Sequence, residues 1–191
     1  MKIGVLALQG AFREHCWMLE RCGVTALEIR KPEELDDVAG LIIPGGESTT
    51  IGKLMAQWGL MEKIKIRARE GMAVYGTCAG MIILAKDIVG SDQPRLGLMD
   101  VTVRRNGFGR QKESFEAAMF VPEFGDNPVQ AVFIRAPYIE QANDKVKILA
   151  MVNEKVVIAR QDNILVTAFH PELTDDDRIH KYFISMINEK G

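Results

Sequence analysis

The chain has 191 residues, of which 47% are hydrophobic and 26% are charged, and its formal net charge is −2. This composition is typical of a soluble globular protein, and the charge gives no electrostatic reason to expect nucleic acid or an anionic membrane as a partner. No apolar run approaches the roughly 20 residues that a membrane-spanning helix needs. The length predicts one domain over residues 1–191, and three cysteines without framework spacing indicate a reducing compartment, the cytoplasm.

The first half of the chain alternates short apolar runs with helical periodicity. Strands are predicted at residues 3–8, 24–29, 40–43 and 72–75. Four helices are predicted between them: one at residues 12–22, a short one that begins at Pro32, one that ends near residue 58, and one at about 61–70. We interpret the opening MKIGVLALQG as the first strand and not as a signal peptide, because the apolar segment is short and no small-residue cleavage site follows. Strands that are apolar throughout and separated by helices are typical of a parallel sheet covered on both faces.

The pattern changes after residues 91–94 (SDQP). Runs of β character follow with no convincing helix between them, at residues 99–103, 116–121, 129–134 and 146–151. Residues 156–160 and 164–169 predict a hairpin, and Thr174 followed by three aspartates predicts the N-cap of a final helix ending near residue 188. The prediction is therefore an α/β fold: an open, mostly parallel, flavodoxin-like sheet with helices on both faces and an antiparallel excursion in the second half.

Cys78 lies at a predicted strand–turn–helix junction, within GTCAG at residues 76–80. Gly76 and Gly80 are small where the strand and helix backbones must approach closely. A thiol in such a turn lies at a helix N-terminus, where unpaired N–H groups favour the thiolate. This predicts a catalytic nucleophile, and the alternative is a buried packing cysteine.

Two further motifs end predicted strands, PGGES at residues 44–48 and HPE at residues 170–172. Ligands of open α/β sheets gather at the carboxyl ends of the strands, so the three motifs are expected to share one cleft. Cys78 would then attack a carbonyl carbon, while His170 would exchange the proton and Glu172 would orient the imidazole. A two-residue offset on extended backbone would place these last two side chains on the same side.

An oxyanion formed in this attack needs two backbone donors. We assign them to Ala79, just after the nucleophile, and to the glycine turn at Gly46.

Taken singly, the motifs have plainer interpretations: HPE could be a strand end with a turn, and PGGES could be a turn before a capped helix. The second motif is not a Walker A loop, because no Gly-Lys-Ser/Thr follows it.

The remaining cysteines and histidines do not suggest a site. Cys16 and Cys22 lie on or beside the first predicted helix and are expected to be packing residues. Together with His15 they lack metal-ligand spacing, so no metal is expected. His180 lies on the final predicted helix and is expected to face solvent.

The motifs GTCAG, PGGES and HPE resemble those of the class I (triad) glutamine amidotransferases. Within that superfamily the chain resembles the glutaminase subunits of pyridoxal 5'-phosphate synthase. The more specific segments are GVLALQG (4–10) with REH (13–15), GGESTT (45–50), GFGRQ (107–111) with SFE (114–116), FIRAP (133–137) and FHPELT (169–174). One departure is Gly107, where the family pattern is expected to have serine.

The resemblance implies that L-glutamine is hydrolysed to L-glutamate and ammonia through a thioester on Cys78, without a cofactor. It implies a heteromeric complex in which a (β/α)8-barrel synthase subunit receives the ammonia. It also implies a glutaminase that is weak alone, whose oxyanion turn is completed by docking, with Gln9 and Gly10 near the contact surface. The implied glutamine contacts are Gly46, Glu47, Ser48, Arg105, Ile134 and Arg135.

Two other functions remain open at this point. The first is the glutaminase subunit of another amidotransferase, such as imidazole glycerol phosphate synthase, which shares the triad and the fold. The second is a catalytically silent binding protein on the same scaffold. The intact set of Cys78, His170 and Glu172 argues against the second.

Overall fold

A computed structural model describes residues 1–109 and 113–189 of the chain. The strands are β1 (Lys2–Leu6), β2 (Thr25–Ile29), β3 (Gly40–Ile43), β4 (Ala73–Thr77), β5 (Ala85–Ile88), β6 (Met99–Arg104), β7 (Ser114–Met119), β8 (Val129–Ile134), β9 (Tyr138–Ala142), β10 (Lys147–Val152), β11 (Lys155–Gln161) and β12 (Ile164–Thr167). The α-helices are α1 (Phe12–Arg21), α2 (Ser48–Gln57), α3 (Leu60–Arg69), α4 (Ala79–Leu84) and α5 (Arg178–Asn188), and short 3-10 helices cover Pro32–Asp37, Pro122–Phe124 and Pro171–Leu173.

The main sheet has the strand order β2-β1-β3-β4-β12-β11-β9-β6-β5, with β10 paired to β11. Its first five strands are parallel. The strands β11, β9 and β6 then continue it in antiparallel fashion, and β7 and β8 form a separate antiparallel pair. The predicted α/β class, with its parallel centre and antiparallel excursion, is confirmed.

Burial along the strands follows their place in the sheet. Every residue of β3, β4 and β12 is buried, because these strands have neighbours on both edges and cover on both faces. Strands β6 and β8 instead alternate buried residues with partly or fully exposed ones, as half-covered antiparallel strands do. The buried apolar residues form a cluster that extends along the chain from Ile3 to Met186.

Two strands of this sheet were not predicted. Strand β5 follows the six-residue helix α4 without a loop, and only the first and last of its four residues are buried, so its apolar pattern is weak. Strand β9 has the sequence YIEQA, in which three of the five residues are exposed, so its apolar pattern is weak. Both are held by pairing with β6.

The start of the final helix also differs from the prediction. Helix α5 begins at Arg178, and Thr174 instead closes the preceding 3-10 turn. Its hydroxyl donates to the carbonyl oxygen of Pro171 at 2.9 Å and accepts from the backbone N–H of Asp176 at 3.2 Å. The predicted N-cap at Thr174 is therefore wrong, because its hydroxyl is engaged by the turn. Within residues 1–109 and 113–189, no helix is long and apolar enough to cross a membrane.

Candidate active site

Cys78 occupies a strained turn between β4 and α4. Its φ of 49° is positive, a costly conformation for a residue other than glycine. A Cβ atom on Gly80 would lie 2.1 Å from the carbonyl oxygen of Ile43, and one on Gly76 would lie 2.5 Å from the carbonyl carbon of Gly80. The helix therefore packs this closely only because both positions lack a side chain, and the predicted strand–turn–helix is present.

Strand pairing brings the HPE motif to this turn. Strands β4 and β12 are parallel neighbours, with Thr77 opposite Thr167, and the N–H of Cys78 donates to the carbonyl oxygen of Thr167 at 2.8 Å. His170 follows the end of β12 by three residues and is 8% exposed. The ends of two adjacent strands thus place a thiol and an imidazole side by side.

Glu172 lies behind His170, with its Oε1 atom 2.7 Å from Nδ1 of the ring. The predicted extended backbone between the two residues is wrong. Pro171 begins a 3-10 turn, a position that proline favours because its φ is already helical, and this turn brings the carboxylate to the ring. The Glu172 side chain has no exposed surface. Burial alone would raise its pKa, but the neighbouring His15 and His170 lower it, so the carboxylate is ionised.

The glycine turn closes the site from the other side. A Cβ on Gly45 would lie 2.4 Å from Cε1 of His170 and 3.5 Å from Cβ of Cys78.

Burial lowers the pKa of His170, yet hydrogen bonds with Cys78 and Glu172 outweigh the effect of burial and raise that pKa to about 10. The imidazole therefore carries its proton at neutral pH and can supply it to a bound molecule.

A cavity of about 500 Å³ opens over Cys78. This volume is within the usual range for small-molecule sites. All of the predicted site residues except Glu172 line it. The lining comprises Gly46, Glu47, Ser48, Cys78, Ala79, Ile82, Arg105, Asn106, Ile134, Arg135 and His170.

Glu47 supplies a carboxylate at the rim of the cavity while capping helix α2. It accepts from the backbone N–H groups of Thr49 and Thr50 at 3.0 and 2.7 Å, and from the Thr50 hydroxyl at 2.6 Å. These hydrogen bonds, the Thr50 hydroxyl first, lower the pKa of Glu47 to about 2. Glu47 is therefore an anion held in a fixed orientation by the first turn of the helix.

Gln93 is a residue of this site that the sequence did not indicate. It is buried, and its side-chain oxygen accepts from the hydroxyls of Ser48 and Thr49, each at 3.3 Å, and from Nη1 of Arg105 at 3.0 Å. It lies in the irregular SDQP segment, where no periodicity distinguishes a buried side chain from an exposed one. Gln93 ties the glycine-turn side of the cavity to its arginine side.

The segment between β1 and α1 holds the glycine turn in place. The backbone N–H of Glu47 donates to the side-chain oxygen of Gln9 at 2.8 Å, and the N–H of Ala11 donates to the carbonyl oxygen of Gly45 at 3.3 Å. Any change in the turn that carries Gly46 would therefore have to break or rearrange these two hydrogen bonds.

The GFGRQ motif is only partly described, since residues 110–111 lie outside the described ranges. At Gly107 a Cβ would lie 2.1 Å from Cδ1 of Tyr138, so the Tyr138 ring occupies the space that a side chain would need. The Lys155 ammonium donates to the Gly107 carbonyl oxygen at 2.5 Å and lies 4.7 Å from the centre of the Phe108 ring. The glycine found in place of the expected serine therefore fits the local packing.

The other cysteines and histidines differ in their agreement with the predictions. Cys16 and Cys22 are partly buried free thiols, and burial raises the pKa of Cys16 to about 11, which suits packing and not nucleophilic attack. His180 was expected at the surface, but it is fully buried, on the face of α5 that also carries Phe183. Among the residues described, no group of three or more His, Cys, Asp or Glu side chains could hold a metal ion.

Comparison with known proteins agrees with this geometry. The SNO glutamine amidotransferase family matches residues 5–189. The pyridoxal 5'-phosphate synthase subunit PdxT of Desulforamulus reducens is 62% identical over 98% of this chain and 100% of its own length. The protein of the same name from Carboxydothermus hydrogenoformans is 60% identical over 98% of both chains.

A solved structure extends the likeness to three dimensions. The crystal structure of a glutamine amidotransferase superposes with a TM-score of 0.93 and 49% sequence identity, covering 97% of this chain and 98% of that one. The family match and these identities extend over almost all of the chain, including the segments that carry the cavity residues. The chain therefore belongs to the SNO glutamine amidotransferase family.

Proposed function

We propose that this protein hydrolyses L-glutamine to L-glutamate and ammonia, with Cys78 as nucleophile, His170 as general acid and base, and Glu172 as the group that orients His170. One observation carries the assignment of roles. A cysteine on a strained turn and a histidine backed by a buried glutamate meet the same cavity through the cysteine and the histidine, and that cavity is large enough for an amino acid. Family membership supplies the substrate class.

The reaction follows from the protonation states of these groups. The thiolate is the nucleophilic form of a cysteine, and in that form the sulfur of Cys78 attacks the side-chain amide carbon of glutamine and gives a tetrahedral oxyanion. His170 gives its proton to the amide nitrogen, and the C–N bond breaks. Ammonia departs, and a γ-glutamyl thioester remains on Cys78. His170 then takes a proton from water, which attacks the thioester carbon, and the C–S bond breaks to release glutamate.

The developing oxyanion needs backbone donors, for which we propose Ala79 and Gly46. Both residues line the cavity beside Cys78, and the first directly follows the nucleophile. Gly46 belongs to the turn that Gln9 holds through the neighbouring N–H of Glu47. We propose that docking of the synthase subunit completes this turn, which would make the glutaminase weak on its own.

The charges around the cavity match the two ends of an amino acid. Arg105 and Arg135 offer guanidinium groups suited to a carboxylate, and Glu47 offers an anion suited to an ammonium. Ser48 and Ile134 complete the proposed glutamine contacts. The side-chain amide of glutamine would then extend towards Cys78.

The ammonia product defines the place of the protein in a larger assembly. The curated relatives at 62% and 60% identity are named as subunits of pyridoxal 5'-phosphate synthase. We propose that residues 1–191 act as one glutaminase domain in a cytoplasmic heteromeric complex and deliver ammonia to a (β/α)8-barrel synthase subunit. These relatives favour this pathway over imidazole glycerol phosphate synthase.

The test is a glutamate-release assay with and without the synthase subunit. Cys78→Ala should abolish glutamate release while the variant still co-elutes with the synthase. Cys22→Ala, which removes a half-buried thiol remote from the cavity, is the matched control and should retain full activity. Turnover by Cys78→Ala would refute the mechanism, whereas activation only by the acceptor subunit of another amidotransferase would refute the pathway.

A further inference from the structure

Two buried histidines lie behind the Cys78–His170–Glu172 set. His15 on α1 and His180 on α5 have no exposed surface, and Nδ1 of His15 lies 2.9 Å from Nε2 of His180. The other ring nitrogen of His15, Nε2, lies 3.1 Å from the hydroxyl oxygen of Thr77 and 3.4 Å from Oε2 of Glu172. The pair thus connects the first and last helices to the carboxylate that orients His170.

Both rings are neutral at pH 7. Burial lowers the pKa of His15, outweighing the opposing attraction of the Glu172 carboxylate, and burial followed by the proximity of His15 lowers that of His180 well below its ordinary value. A neutral imidazole has one N–H and one bare nitrogen. The 2.9 Å contact therefore needs a donor on one ring and an acceptor on the other, which allows two arrangements.

In the first arrangement His15 carries its hydrogen on Nδ1. Its bare Nε2 can then accept from the hydroxyl of Thr77 at 3.1 Å, but it also faces Oε2 of Glu172 at 3.4 Å, lone pair against lone pair. His180 must then carry its hydrogen on Nδ1, which is buried and has no hydrogen-bond partner among the described residues. A buried N–H without an acceptor and two facing lone pairs both cost free energy.

In the second arrangement the Nε2–H of His180 donates to Nδ1 of His15, and His15 carries its hydrogen on Nε2. That N–H can then donate to the hydroxyl oxygen of Thr77 at 3.1 Å, and it faces Oε2 of Glu172 at 3.4 Å. The bare Nδ1 of His180 remains a buried acceptor without a hydrogen-bond partner among the described residues. This arrangement removes the facing lone pairs and leaves an acceptor unpaired instead of a donor. It is the lower in free energy.

We propose that His15, held as the Nε2–H tautomer by His180, is a positioning residue that fixes the Glu172 carboxylate behind His170. The inference rests on the proposed function for its catalytic consequence. Glu172 then accepts from His170 at Oε1, and the His15 N–H faces Oε2 at 3.4 Å and attracts it electrostatically, while Oε2 has no hydrogen-bond partner among the described residues. Because His15 also contacts Thr77, the residue before Cys78, one ring positions both the base and the nucleophile turn.

The first test reads the tautomer directly and does not depend on glutaminase activity. The chain has three histidines, so long-range ¹H–¹⁵N correlation spectra of the labelled full chain can be assigned with His15→Gln and His180→Gln. We expect wild-type His15 at pH 7 to be neutral, with hydrogen on Nε2 and a bare Nδ1. A hydrogen on Nδ1, or a doubly protonated ring, would overturn the proposal.

The second test measures glutamate release in the complex with the synthase subunit. His15→Leu removes the N–H, whereas His15→Gln keeps an amide N–H of similar reach. We expect His15→Leu to lower kcat by about 10- to 100-fold, as loss of an orienting group usually does, with KM for glutamine changed less than about twofold. His15→Gln should recover most of kcat.

Equal kcat values for the leucine and glutamine variants would overturn the positioning role, since packing alone would then account for the residue. The tautomer measurement on the wild-type chain decides the proposal even if His15→Leu does not fold. A correct tautomer together with turnover by Cys78→Ala would instead locate the failure in the proposed function.

Discussion

At the scale of single residues, His170 combines burial with two contacts that hold its proton. Burial disfavours the charged ring, and the hydrogen bonds with Cys78 and Glu172 overcome that cost and raise its pKa to about 10. The value matters chemically because a ring that is protonated in the resting enzyme is ready to act as the acid for the leaving amine.

Removing the sulfur should therefore lower the pKa of His170. In Cys78→Ala one of the two contacts that raise this pKa is lost, while burial and Glu172 remain. An NMR titration of the His170 ring should place its pKa below the wild-type value. Cys22→Ala should leave it unchanged, and an unaltered pKa in Cys78→Ala would mean that the sulfur does not contact the ring.

The proposed roles also predict different losses for the base and its orienter. His170→Asn should lower kcat of the complex by at least about 10²- to 10⁴-fold, because it removes the general acid and base. Glu172→Gln should cost roughly 10- to 100-fold less than His170→Asn, because it affects only the orientation and charge of the ring. Equal losses in steady-state assays would contradict a purely orienting role for Glu172.

At the scale of elements, the site depends on how closely α4 approaches the sheet. The helix is short and wholly buried, and it places the backbone at Gly80 against the carbonyl of Ile43. This approach leads the chain from β4 into the turn that presents Cys78. A side chain at that contact would push against backbone and not against a movable side chain.

Gly80→Ala should therefore destabilise the protein although alanine favours helices by about 1 kcal/mol over glycine. The clash with backbone should outweigh that gain and leave a net loss of about 1–3 kcal/mol in the free energy of unfolding, measured with urea. The matched control is Gly40→Ala, whose Cβ would meet the movable tip of Ile187 at 2.6 Å. A Gly80→Ala protein as stable as wild type would show that α4 can shift freely.

At the scale of the whole molecule, the three histidines are buried with opposite charge preferences. His15 and His180 have pKa values below the ordinary value of 6.5, and His170 has a raised one. As pH falls, the unfolded chain protonates His15 and His180 at a higher pH than the folded chain does. The free energy of unfolding therefore falls as pH drops below about 6.5. For His170 the folded chain holds the proton longer, so its contribution is complete below about 6.5 and is lost as pH rises towards about 10.

The free energy of unfolding should accordingly be greatest near pH 6.5 and decline on both sides. Urea titrations between pH 5 and pH 10 can test this, and the informative quantity is the difference between wild type and His170→Asn. That substitution should reduce the alkaline decline and leave the acid decline in place. An alkaline decline of the same size in both proteins would show that His170 does not carry its proton in the folded state.

The local sequence determined the fold class and the principal candidates of the site. Fully apolar runs such as GLII at Gly40–Ile43 indicate strands buried on both faces, since only neighbours on every side can cover them. The placement of Cys78 and His170 in one cleft was predictable as well, because carboxyl ends of parallel strands meet at one edge of a sheet.

Tertiary structure alone decided how these groups are held. The 3-10 turn that carries Glu172, the buried carbonyl of Gln93 and the burial of His180 leave no periodic signal in the sequence. His15 and His180 are 165 positions apart and hydrogen-bond only because α1 and α5 meet behind β4. Local pattern specifies which backbone segments are buried, whereas the partners of a buried polar group depend on which distant segments pack against it.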